Sequence, residues 1–80
     1  MARFELGRAL LQTGDIPGAI ENLESARKLA PDREATLYQL SQAYRRAGRT
    51  QDAADVLAAY QKMIEANRQK RREVLETEKP

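Results

Sequence analysis

Residues 6–31 read LGRALLQTGDIPGAIENLESARKLAP, and residues 40–65 read LSQAYRRAGRTQDAADVLAAYQKMIE. The second stretch repeats the first at a distance of 34 residues. Six pairs of identical residues fall in register: Leu6 and Leu40, Ala9 and Ala43, Gly14 and Gly48, Ala19 and Ala53, Leu23 and Leu57, and Lys28 and Lys62. A period of this length is typical of a helical hairpin that cannot bury its own apolar face and stacks on a neighbour. The repeat therefore predicts an all-α fold of antiparallel helix hairpins.

Turn residues mark the ends of the first two predicted helices. Apolar residues at helical spacing over residues 2–11 predict the first helix, and Gly14 supplies its stop. Asp15 is placed to cap the second helix, whose apolar face runs on until Pro31 ends the helix. The first unit is therefore expected to be a complete hairpin.

The second unit begins in the same way but ends differently. Asp32 is expected to cap a third helix that stops before Gly48, and a fourth helix begins near residue 50. Glu65 stands where the first unit has a proline, so nothing there forces the helix to end. We expect one long helix to about residue 76, with Asn67 as its weakest point, where a break would make residues 68–77 a separate helix.

The composition describes one small domain with nearly balanced charge. The 80 residues are 41% hydrophobic and 32% charged, and 14 basic against 12 acidic side chains leave a formal net charge of +2. This charge is too small by itself to indicate nucleic acid or an anionic membrane as partner. The longest apolar run, residues 56–59, is far shorter than the roughly 20 residues that span a bilayer. We expect no secretory signal in the given sequence, because a signal needs roughly 7 to 15 apolar residues in a row near the N-terminus. The compartment stays undetermined.

The basic residues form two clusters in the second half of the chain. One surrounds the end of the third helix, where cations are stabilised by the helix dipole: Arg45, Arg46 and Arg49. The other is interpreted as part of a solvated helix, because acidic residues follow it: Arg68, Lys70, Arg71 and Arg72. Nucleic-acid binding through these clusters is the weakest alternative, since it calls for interleaved aromatic residues or a larger positive charge.

The chain contains neither cysteine nor histidine. The common nucleophiles, general bases and transition-metal ligands are therefore missing, and only scattered carboxylates remain for acid–base work. Glu21 with Glu24, and Asp52 with Asp55, are spaced as solvent-facing charges on a helix. We therefore expect no catalytic residues, no metal site and no cofactor.

The order of small, apolar and turn residues in both units resembles the tetratricopeptide repeat, over residue 2 to about residue 66. The first unit carries the motif at Leu6, Gly7, Leu10, Gly14, Ala19, Leu23, Ala26 and Pro31. The second carries it at Leu37, Leu40, Ser41, Tyr44, Gly48, Ala53, Leu57 and Tyr60. The resemblance implies hairpins that stack into a right-handed superhelix, with about four helices here and the last one extended.

The resemblance also implies a division of the chain into repeats at 1–32 and 33–66, followed by a capping helix extension and tail at 67–80. Two positions depart from the family pattern: Arg3 stands where a large apolar residue is favoured, and Glu65 replaces the terminal proline. Because at least three repeats are usually needed for stability, we expect the chain to be the C-terminal piece of a longer array.

Small side chains recur where two helix backbones are expected to cross closely: Gly7, Ala19, Ser41 and Ala53. A bulky residue at such a position separates the helices. On this basis Ala53→Leu is expected to cost about 1 to 3 kcal/mol through overpacking.

Members of the tetratricopeptide repeat family usually hold an extended peptide or a partner's helix on the concave face, which is built from the first helix of each unit. Carried over by position, the candidate partner-binding residues are Phe4, Arg8, Gln12, Tyr38, Gln42 and Arg45, with Gln39 and Arg46 at the rim. Aromatic rings bury area and guanidinium groups bind carboxylates, so these residue types suit recognition. The alternative is that Phe4 and Tyr38 are half-buried packing residues.

These inferences predict a non-catalytic scaffold that binds another protein on the concave face. The alternative function is self-association, in which the long last helix and the exposed end faces form a homodimer. The residues do not identify the partner.

Overall fold

The computed structural model describes residues 2–77, with side chains as far as residue 75. Over this range the chain forms four α-helices and no strand: α1 (Arg3–Thr13), α2 (Ile16–Leu29), α3 (Glu34–Arg46) and α4 (Thr50–Thr77). Helix α1 pairs with α2 and α3 with α4, while α3 joins the two hairpins by packing against α2 and touching α1. The all-α hairpin fold expected from the repeat is confirmed. The division at residues 32 and 66 stays a prediction, and residues 78–80 of the tail lie outside the described part.

Glycines close the first helix of each hairpin. Gly14 has a φ of 94° and Gly48 a φ of 78°, a left-handed conformation that side chains with a Cβ rarely adopt. Asp15 caps α2 as predicted, since its Oδ1 accepts a hydrogen bond from the Gly18 N–H at 3.1 Å. Pro17 lies in the first turn of α2, where a missing N–H costs nothing.

The predicted Asp32 cap is wrong. The N-cap residue of α3 is Arg33, which has an extended backbone and forms no side-chain cap bond. Pro31 and Asp32 form the turn before it, and the Arg33 N–H donates to the Ala30 carbonyl at 3.2 Å. Asp32 therefore lies one residue too early to reach the free N–H groups of α3.

Helix α4 is continuous through Asn67, so the alternative of a break at that residue is wrong. The Asn67 side-chain amide donates a hydrogen bond to Glu34 at the start of α3. Beyond this contact the described side chains of α4 are exposed on all sides. The second half of α4 therefore extends beyond the body formed by the two hairpins.

The core lies where α3 meets the first hairpin. Leu23 of α2 and Leu37 and Leu40 of α3 are fully buried, and Val56 adds the contribution of α4. A Cβ atom at Gly7 would lie 2.7 Å from Cγ of Leu23, so only glycine fits where α1 crosses α2. The contact with Leu23 therefore requires the small residue that was expected at position 7.

Polar contacts connect the start of α1 to α2. Arg3, where the family favours a large apolar residue, donates from Nη1 to Oδ1 of Asn22 at 2.9 Å. Asn22 is buried, and its amide donates in turn to the carbonyl of Gly18 at 2.8 Å. A hydrogen-bonded pair thus connects the two helices at this position.

Candidate functional site

The six predicted partner-binding residues do not share one environment. Phe4 is a core residue, only 7% exposed, so its ring contributes to packing and is not available on the surface. Arg8, Gln12 and Arg45 are exposed, Tyr38 is 44% exposed, and Gln42 is half-buried. Five of the six therefore reach solvent, and the assignment of Phe4 to a binding surface is replaced by the packing alternative.

Arg33, the N-cap residue of α3, lies over the Phe4 ring. The guanidinium carbon of Arg33 lies 3.9 Å from the centre of the Phe4 ring, a cation–π arrangement. The same guanidinium pairs with Glu5 at 3.5 Å. Since Arg33 starts α3 while Phe4 and Glu5 belong to α1, this group holds the first helices of the two hairpins side by side.

The α3 side of the candidate surface is a row of three residues. Tyr38, Gln42 and Arg45 follow the i, i+4, i+7 spacing that places side chains on one face of a helix. The Tyr38 ring packs at 5.6 Å and an angle of 50° against Tyr60 of α4, so it is anchored on one side and open on the other. Within the described residues Arg45 forms no ion pair, which leaves its charge available to a ligand.

The α1 side consists of Arg8 and Gln12, one helical turn apart. Arg8 lies 6.0 Å from the Phe4 ring centre, the outer limit of a cation–π contact. The five candidates on α1 and α3 that reach solvent together present two guanidinium groups, two amides and one aromatic ring. Such a surface can bind a carboxylate and pack against an apolar side chain.

Two inter-hairpin hydrogen bonds are absent from the sequence-based expectations. The Tyr44 hydroxyl donates to Oε1 of Glu24 at 2.5 Å, and Arg46 donates from Nη1 to the carbonyl of Leu11 at 2.8 Å. Arg49 lies 4.6 Å from the Tyr44 ring centre and donates from Nε to Asp52 at 2.8 Å. Two of the three cations attributed to the helix dipole therefore have specific partners. The partners in these two hydrogen bonds are 20 and 35 positions apart in the chain, so no local pattern in the sequence could have predicted them.

Tyr44 connects the two hairpins in a pH-dependent way. Burial, reinforced by the hydrogen bond to Glu24, raises the pKa of Tyr44 from 10.0 to about 12. Below pH 10 the phenol is protonated in both the folded and the unfolded state. Between pH 10 and 12 the unfolded state loses its proton first, so the free energy of unfolding is expected to fall as pH rises through this window. Urea unfolding of the protein and of Tyr44→Phe, below and inside the window, measures the effect. Equal pH slopes in the two proteins contradict it.

A cleft of about 610 Å³ lies between α2 and the turn that joins α3 to α4. Ile16, Ile20 and Pro17 form its apolar wall, and Glu21, Glu24 and Arg49 are its charged groups. Glu24 accepts a hydrogen bond from Tyr44, and Arg49 donates one to Asp52. In the part of the chain that the structure describes, no three His, Cys, Asp or Glu side chains are grouped as a metal site would need. Nor is any helix in that part both long and apolar enough to cross a membrane.

Two stacked antiparallel hairpins, with small residues at their crossings every 34 positions, define a helical repeat protein. The family model described as tetratricopeptide repeat matches residues 4–69, and the chain belongs to this family. Tetratricopeptide repeats generally mediate protein–protein interaction, and the family is typically a non-catalytic scaffold. Searches of curated proteins and of solved structures gave no match.

Proposed function

We propose that this chain binds another polypeptide through the surface formed by Arg8 and Gln12 of α1 and by Tyr38, Gln42 and Arg45 of α3. The observation that carries the proposal is the row on α3, where a half-exposed ring lies beside an amide and an exposed cation. The general role of the family supports a protein as the ligand. The function is recognition without catalysis.

The chemistry of the surface narrows the ligand to an extended peptide or a helix with at least one carboxylate. Arg8 and Arg45 are exposed, and guanidinium groups bind carboxylates through paired, charge-assisted hydrogen bonds. The open side of the Tyr38 ring offers an apolar contact, and aromatic residues with arginines often dominate binding energy. The expected ligand therefore combines an apolar side chain with acidic neighbours.

The test is a selection of binders from a displayed random-peptide library on the immobilised 80-residue protein. Selected peptides are then measured by fluorescence anisotropy against Arg8→Glu and Tyr38→Ala, with Arg27→Glu as the control. Arg27 is an exposed arginine of α2, so its variant has the same charge change away from the surface. Both surface variants are expected to weaken binding by about tenfold or more. Equal affinity for Arg8→Glu and Arg27→Glu contradicts the proposal.

Self-association is a second candidate, favoured by the shape of α4. The helix extends beyond the hairpins, and its Leu75 is 58% exposed. Sedimentation velocity over a wide concentration range tests it: a concentration-dependent dimer that Leu75→Glu dissociates supports self-association, whereas a monomer at every concentration removes it.

A further inference from the structure

The 34-residue repeat produces two equivalent grooves, of which one is filled. The first groove, between α1 and α2, is lined by Leu11, Ala19, Ile20 and Leu23, and each of these residues is at most 8% exposed. Helix α3 lies against it, and Arg46 of α3 donates to the carbonyl of Leu11. A helix is therefore the element that this fold places in such a groove.

The second groove, between α3 and α4, is open. It forms a cleft of about 210 Å³, and its lining includes Arg45, Ala53, Ala54 and Leu57, the repeat counterparts of the four buried residues of the first groove. Leu57 is 40% exposed, whereas its counterpart Leu23 is completely buried. Within the described residues, no helix covers the second groove as α3 covers the first.

The residues that differ between the grooves indicate which helix fits. Leu11 of the first groove is replaced by Arg45 in the second, and Ile20 by Ala54. In the first groove, Arg46 in the last turn of α3 contacts the end of the groove at Leu11. A helix lying in the second groove in the same orientation would bring its last turn to Arg45, where a cation is repelled and a carboxylate is attracted.

The other end of the second groove is also basic. Arg68 and Arg71 lie beside Glu34, Ile64 and Asn67, around a cleft of about 190 Å³ at the start of α3. The Glu34 carboxylate accepts a hydrogen bond from the Asn67 amide, so two cations face one carboxylate and the charge of the cleft is positive. A helix parallel to α3 would begin here, and acidic residues in a first turn are favoured by the helix dipole as well as by these cations. Glu65 is 3.6 Å from Arg68, but this exposed ion pair is screened by water and contributes little.

We propose that the second groove binds an acidic amphipathic helix of another protein, oriented parallel to α3. Its apolar face packs on Ala53, Ala54 and Leu57, and its carboxylates lie near Arg45 at one end and near Arg68 and Arg71 at the other. A second copy of this chain is a poorer occupant. Its equivalent helix, α1, would bring the exposed cation of Arg3 to Arg68 and Arg71, and its last turn has no carboxylate to meet Arg45.

The probe is a labelled peptide with the sequence of residues 32–47, which includes α3, carrying Arg33→Glu, Arg45→Glu and Arg46→Glu. The unchanged peptide is the matched control, because it has the same apolar face and the opposite charge at three positions. By anisotropy on the 80-residue protein, the acidic peptide is expected to bind about tenfold or more tightly than the control at low salt. Failure of the acidic peptide to bind, or equal affinity of the two peptides, overturns the proposal.

Two pairs of variants locate the binding site. Ala54→Glu places a carboxylate in the groove, and Ala66→Glu makes the same change at an exposed position on another face of α4. Arg71→Glu reverses a cation at the basic end, and Lys62→Glu does so away from it. The first variant of each pair is expected to weaken acidic-peptide binding by about tenfold and the second by less than about twofold.

Circular dichroism of each variant checks that the helices are retained, which is expected because all four positions are exposed. Equal losses within either pair overturn the proposal. So does a dimer of the protein alone that Ala54→Glu dissociates, because that result assigns the groove to a second copy. If Ala54→Glu weakens binding of the acidic peptide by about tenfold and Arg8→Glu leaves it unchanged, the result supports the groove independently of the surface on α1 and α3.

Discussion

Replacing Leu23 with alanine is expected to lower the free energy of unfolding by about 2 to 5 kcal/mol. Leu23 is completely buried between the hairpins and contacts Gly7 of α1, so the shortened side chain leaves a cavity in the core. For a domain of this size such a loss corresponds to a fall in the thermal midpoint of roughly 15 °C. Urea unfolding monitored by circular dichroism measures it.

The matched control for this variant is Leu57→Ala. Leu57 occupies the same repeat position in the second hairpin but is 40% exposed, because no described helix covers it. Its truncation is expected to cost about 1 kcal/mol or less, as is usual for surface positions. Equal costs at the two positions would contradict the finding that α3 covers only the first of the two grooves.

Replacing Ala19 with leucine is expected to destabilise the fold by about 1 to 3 kcal/mol. Ala19 is completely buried, and three additional carbon atoms there must displace α3 or distort the first hairpin. Thermal and urea unfolding of the variant provide the measurement.

Ala53→Leu is the same substitution one repeat later and serves as the comparison. The repeat spacing alone predicts overpacking at Ala53 as well, but this residue is half-buried and lines the open cleft of the second groove. A leucine there has room to extend, so the expected cost falls below about 1 kcal/mol. If Ala53→Leu destabilised as much as Ala19→Leu, the cleft would be closed in solution.

The helices and their order followed from local signals in the sequence. Gly14 and Gly48 adopt the left-handed backbone that ends a helix, and Asp15 caps α2, because each of these effects depends on only a few neighbouring residues. The absence of a proline at Glu65 predicted a continuous α4 for the same reason. Asp32 misled the prediction because the turn after Pro31 is one residue longer than the cap required.

The candidate surface was less predictable, because exposure depends on residues far apart in the chain. Phe4 has the spacing of a surface residue on α1, yet Arg33 of the next hairpin covers its ring. The bond from Tyr44 to Glu24 crosses between hairpins in the same way. Repeat positions identify which residues are equivalent, but the packing of one hairpin on the other determines which of two equivalent residues is exposed to solvent.

Helix α4 contains 28 residues and is about 42 Å long, roughly twice the length of α3 beside it. Its first half is held by tertiary packing, whereas an isolated segment as short as its second half would be only marginally helical in water. The packed half therefore acts as a preformed template from which the rest of the helix propagates. We therefore expect that the second half of α4 can unfold from its C-terminal end without disturbing the core.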